Sequence, residues 1–150
     1  MKGYEKVLVS ACLLGIRCRY DGGRLPPLPK KPGEIWIPVC PEQLGGLPTP
    51  RSAAQIIGGD GEAVLEGKAR VVNEREEDVT ERFLVGAEEA LRIARTLEVR
   101  KAILKERSPS CGVKWTHGRE GLLEGMGVTA ALLQREGIIL VSDEELKGLP

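Results

Sequence analysis

The chain has 150 residues, with 22 basic and 22 acidic side chains, one His, one Phe, two Tyr and two Trp. Balanced charge and scarce aromatics exclude the basic, base-stacking surface of a nucleic-acid binder, and no apolar run is long enough to cross a bilayer. This length suits one domain over residues 1–150, burying roughly two-thirds of its unfolded surface without help from disulfides. The polar start, Met1 to Lys6, lacks a long apolar run and predicts no signal peptide. The expected compartment is the cytoplasm, where structural disulfides are rare. The four cysteines therefore need another use.

Val7 to Leu14 (VLVSACLL) reads as a buried strand. Gly15 to Arg24 is a glycine-punctuated loop, and Pro26 to Pro32 (PPLPKKP) an exposed extended connection. Glu34 to Cys40 (EIWIPVC) is a second strand, whose Pro38 suits an edge or a strand end. Pro41 to Arg51 is a Gly- and Pro-rich loop. Ala63 to Asn73 predicts a hairpin turning at Glu66-Gly67-Lys68. Asp78 to Leu97 is the clearest helix: Asp78 and Glu81 suit a capping box, and Phe83, Ala87, Ala90, Leu91 and Ala94 share one face. Lys101 to Lys105 is a third strand and Ser108 to Gly121 an irregular loop. Val128 to Gln134 is helical, with Gly137 at its end. Ile138 to Val141 is a fourth strand, and Ser142 with Glu145 boxes the start of a terminal helix. Strands alternating with helices predict a Rossmann-like α/β fold with a largely parallel sheet and a small hairpin decoration.

Cys12 and Cys40 fall at the ends of the first two strands, and Cys111 in the loop after the third. In a parallel sheet those points share the carboxyl edge, where ligands bind in open α/β proteins. Thiolates bind zinc, Cu(I) or iron–sulfur clusters. The nearest cysteine pair, Cys12 and Cys18, matches neither C-x-x-C nor the ferredoxin spacings. Spacing thus leaves the metal open, and a buried cysteine also serves as a small hydrophobe. Cys40-Pro41-Glu42 puts a carboxylate beside one cysteine, and Ser108-Pro109-Ser110-Cys111-Gly112 puts hydroxyls beside another. These are parts for general acid–base work, or a solvated loop carboxylate and turn-forming hydroxyls.

SACLLG (Ser10 to Gly15), RYDG (Arg19 to Gly22), CPEQLGGLPTPR (Cys40 to Arg51) and SPSCG (Ser108 to Gly112) together resemble one family. It long carried a domain-of-unknown-function label and includes the 2-thiouracil desulfidases. The resemblance implies a [4Fe-4S] cluster on Cys12, Cys40 and Cys111 with one iron open, and Glu42 and Ser108 as the acid–base pair. It implies non-redox removal of sulfur from a small thiocarbonyl compound such as a thiolated pyrimidine. Arg19, Thr49, Arg51 and Ser110 belong to the same motifs and are candidates for the substrate pocket. Cys18 precedes RYDG at a position where the family often carries another residue, and it stays outside the implied ligand set. Two other functions fit part of this pattern: a non-catalytic iron–sulfur or sulfur-carrier protein, and a structural zinc or small-ligand module. His117, the single histidine, reads as a loop residue near the third motif.

Overall fold

The computed structural model describes residues 3–147. Four strands form a parallel sheet: β1 (Glu5–Ser10), β2 (Glu34–Val39), β5 (Lys101–Leu104) and β8 (Ile139–Ser142), in the order β2-β1-β5-β8. β1 is central, and its Val7, Leu8 and Val9 have no solvent exposure. This burial on both faces explains why the run is apolar without alternation. Leu8 faces α3 (Thr80–Thr96) and α4 (Val128–Arg135), packing with Leu91, Ala94, Ala130 and Leu133. Val7 and Val9 face the other way, against Leu13, Ile103 and the partly buried Leu25 and Leu28. The proline-rich connection is therefore exposed at its prolines but tucks Leu28, with Leu25 just before it, under the sheet. β2 is an edge strand, which accommodates the missing amide hydrogen of Pro38.

A second, smaller sheet has the order β4-β3-β6-β7, from β3 (Ala54–Ile57), β4 (Arg70–Asn73), β6 (Trp115–Gly118) and β7 (Gly121–Glu124). Its two antiparallel pairs, β3–β4 and the hairpin β6–β7, are joined by parallel pairing at Ile56 and Gly118. The hairpin predicted at 63–73 is thus corrected. Its first arm is helix α2 (Gly61–Leu65), started by the Asp60 side chain, which accepts from the Ala63 amide. Its second arm, β4, pairs with β3 instead. Val64 points into the core beside Ile56, Val71 and Phe83, as a helical residue can.

The predicted Asp78–Glu81 capping box does not form. Val79 precedes α3, and no side chain caps it. Asp78 is held by an isolated bridge to Val72, while the Val79 amide donates to Val71 O at 2.9 Å. That pairing keeps both residues with the sheet, and Asp78 Oδ1 accepts from the Thr80 amide instead. The buried face of α3 is the predicted one, with Gly86 added. The Ser142–Glu145 capping box is present at α5 (Asp143–Leu146). Gly137, at φ +89, follows α4 in the left-handed conformation that ends helices. Among the described residues, no helix is long and apolar enough to cross a membrane.

Candidate active site at the sheet's switch point

After β1 the chain continues to one neighbour, β2, and later fills the other side with β5. The carboxyl ends of β1 and β5 therefore flank a topological switch point, the usual ligand crevice of such sheets. A cavity of about 640 Å³ opens there. Cys12 reaches it from a 3-10 turn (Ala11–Leu14) that follows β1, rather than from the strand itself. Cys40 reaches it from the start of helix α1 (Pro41–Leu44), and Cys111 from the loop after β5. Cys18 lines the same cavity, which the sequence did not foretell.

The loop carrying Cys111 is built around a buried carboxylate. Glu106 Oε1 accepts from the amides of Val113, Lys114 and Trp115 at 2.7, 2.9 and 3.0 Å. Burial opposes its ionisation, yet these amides and Ser142 outweigh it and hold the carboxyl below its ordinary pKa. Gly112 is required where it stands, because a Cβ there would lie 2.0 Å from Trp115 O.

Glu42 is aimed by groups on both of its oxygens. Arg51 Nε donates to Oε1 at 2.9 Å, and Ser110 Oγ donates to Oε2 at 2.9 Å. Ser110 Oγ also lies 3.7 Å from Cys111 Sγ, but a thiol sulfur is a weak acceptor beside a carboxylate oxygen, so its single proton belongs to Glu42. Ser108 is one hydroxyl further back, 3.0 Å from Ser110 Oγ. Ser108 Oγ accepts from the Ser110 and Cys111 amides at 3.1 and 3.0 Å. With both lone pairs engaged, its proton is directed outward to Ser110. The result is a polarised chain of hydroxyls, Ser108 to Ser110 to Glu42. The expected Glu42–Ser108 pair is therefore linked through Ser110.

The remaining candidates divide. Arg51 is almost buried and spans Glu42, Thr49 Oγ1, Pro48 O and Cys18 O. It holds the site together as much as it lines it. Arg19 lines the cavity and pairs with Asp21 at 3.5 Å. Thr49 is not part of the cavity wall; its hydroxyl accepts from Gln43 and Arg51 at 2.7 and 3.0 Å and braces the loop. His117, Tyr20 and Gln55 contribute to the wall; Tyr20 falls within the RYDG motif, and no motif covers Gln55.

The four cysteines are free thiols. Interaction with Cys12, and then burial, raise the pKa of Cys18 to about 11 against an opposing influence of Cys40. Contact with Cys18 and then burial push Cys40 well above the thiol range, and burial raises Cys111 to about 12. These thiols stay protonated until a metal displaces their protons. Among the described residues, no three His, Cys, Asp or Glu side chains form a group that could hold a single metal ion. The thiols instead ring a cavity. That arrangement fits a cubane cluster, whose cysteines attach to different irons.

Cysteine thiols around a switch-point cavity, beside a carboxylate with an aligned hydroxyl chain, define an α/β enzyme site of the thiolate-metal class. The 2-thiouracil desulfurase family model matches residues 7–145, and the chain belongs to that family. An uncharacterized protein of Bacillus subtilis (strain 168), YbbK, is 42% identical over 153 residues, spanning 95% of this chain and 99% of its own. The solved structure of the [4Fe-4S]-dependent thiouracil desulfidase TudS is 40% identical, with a TM-score of 0.80. The match covers 97% of this chain and 95% of that one.

Proposed function

We propose that this protein is an iron–sulfur enzyme that converts the C=S group of a thiouracil-like compound to C=O, taking up water and releasing sulfide. The observation that carries the reading is the hydroxyl chain Ser108–Ser110–Glu42, ending at the cavity that the cysteines ring. Cys12, Cys40 and Cys111 would hold a [4Fe-4S] cluster. When bound, the cluster supplies a Lewis-acidic iron suited to the soft sulfur of a thiocarbonyl.

The chain's own residues supply the proton chemistry. Glu42, oriented by Arg51, accepts a proton from the attacking water. Ser110 and Ser108 carry protons between Glu42 and the departing sulfur, so both charges are balanced without electron transfer. One C=S bond breaks, one C=O bond forms, and the two protons of water leave with sulfide. Glu106 and Gly112 keep the Cys111 loop in register with Glu42. Tyr20, Gln55 and Arg19 line the same cavity and would be available to hold a pyrimidine edge. A sulfur carrier has no need of the aligned carboxylate, and a closed zinc site needs its donors on one point. The free thiols suit the reducing cytoplasm.

The test is anaerobic reconstitution, followed by a panel of thiolated pyrimidines, thiolated purines and thioamides. Thiocarbonyl absorbance should decay for at least one pyrimidine, with about one sulfide released per product and about four irons per chain. Stable iron loading with no turnover of any member would remove the enzyme reading. Tight zinc with no affinity for iron would remove the cofactor.

A further inference from the structure

Cys18 is the one buried residue between Gly15 and Arg24, a stretch whose other side chains are exposed or half-buried. It is 2% exposed, yet it belongs to none of the three hydrophobic clusters formed by the described residues. It lines the same cavity as Cys12, Cys40 and Cys111, and the Cys40 thiol donates to its carbonyl. Its carbonyl is fixed from two sides, by Arg51 Nη2 at 2.9 Å and Cys40 Sγ at 3.7 Å. The backbone is thus anchored to the residue that orients Glu42, and Cys18 lines the cavity.

Four thiols around one cavity make a complete set for a [4Fe-4S] cluster, which ordinarily takes four cysteines. Three of them come from the segments that follow β1, β2 and β5: a 3-10 turn, the start of α1 and the Ser108–Gly112 loop. The fourth comes from a loop that begins at Gly15, at φ +82, and turns again at Gly22, at φ +74. We propose that Cys18 is a displaceable fourth ligand, which occupies the open iron while the enzyme waits for substrate and yields it to the incoming sulfur. The inference rests on the iron–sulfur reading above. The exchange would replace the Cys18 thiolate by the lone pair of the substrate sulfur, and the released thiolate would take a proton from water at the cavity mouth. Cys18 would thereby protect the resting cluster against loss of the iron that the other three cysteines leave without a protein ligand.

The test reads iron, not activity. Wild-type, Cys18→Ala and Cys18→Ser proteins are reconstituted anaerobically, and each should hold about four irons, because three anchors suffice. Each is then titrated with ferricyanide, a one-electron oxidant. An iron without a protein ligand leaves the oxidised cluster as Fe²⁺, giving a three-iron centre visible by electron paramagnetic resonance. The wild type should resist this loss at least tenfold longer than either variant. Equal time courses in wild type and variants overturn the fourth-ligand role and leave the three-cysteine site standing. A wild-type protein that takes up no iron overturns both.

Discussion

Gly86 of α3 packs against the carbonyl of Pro41 so closely that a Cβ at position 86 would lie 1.9 Å from that oxygen. The contact is reciprocal, since a Cβ at Gly45 would meet Arg82 O at 2.0 Å. Two glycines thus let the short helix α1 sit directly on α3, and α1 carries Cys40 at its start and Glu42 within it. In an open helix interior, Gly→Ala gains up to about 1 kcal/mol. Here the added methyl meets backbone, and overpacking costs about 1–3 kcal/mol. Gly86→Ala should therefore lower the urea midpoint with an unchanged slope. A variant more stable than wild type would contradict this packing.

The buried Glu106 makes the Cys111 loop sensitive to acid. Its carboxyl titrates below the unfolded value of about 4.3. A depressed folded pKa stabilises fully above the unfolded value, and the gain is lost as pH falls through the folded one. Hydrogen bonds to a charged group are worth about 1.5–3 kcal/mol. Glu106→Gln should therefore be less stable than wild type at pH 7, and the gap should narrow below about pH 4. Urea unfolding across that range measures it, and a gap that widens on acidification would refute the assignment.

Much of this architecture is legible in the sequence where burial is one-sided or complete. VLVS (residues 7–10) and EIWIPV (residues 34–39) are apolar because they lie within or beside the sheet's centre, and the strand ends place Cys12, Cys40 and Cys111 at one edge. The α3 face follows helical spacing because its other faces meet solvent. Ala54–Ile57 escapes notice because it is short, half-buried and stabilised by partners distant in sequence, Asn73 and Gly118 among them. The 63–73 segment misleads because Val64-Leu65 suits either a strand or one helical turn, and the choice falls to Asp60. Cys18 and Ser110 acquire their places from loop tertiary structure, held by Arg51 and by the Ser108 turn. No local periodicity encodes such contacts.

Glu42→Gln tests the base while sparing the shape. Arg51 and Ser110 can both still contact an amide, so the loop and the cysteines keep their positions. Iron content should match wild type, and desulfuration should fall by about 10²–10⁴-fold, the usual contribution of general acid–base catalysis. Parallel measurement of iron and of thiocarbonyl absorbance separates the two effects. Undiminished turnover would end the role of Glu42, and joint loss of iron and activity would make it structural.

The hydroxyl chain predicts that Ser110 and Glu42 act as one unit. Ser110 Oγ is the direct donor to Glu42, and Ser108 reaches Glu42 only through it. Ser110→Ala interrupts the chain at its middle and leaves Glu42 Oε2 without that partner. Its loss of kcat should approach that of Glu42→Gln, about 10²-fold or more. Groups that act together are strongly non-additive, so the Ser110→Ala/Glu42→Gln double variant should be little worse than the worse single one. Ser108→Ala removes the far end of the chain and also the acceptor for the Ser110 and Cys111 amides. It should therefore combine a smaller loss of kcat with a stability loss of about 1 kcal/mol, the net value of a typical hydrogen bond. A double-mutant cycle on kcat, run beside urea unfolding of the same proteins, reads both quantities. Additive losses for Ser110 and Glu42 would mean that the two side chains work on separate steps, and the relay would have to be abandoned.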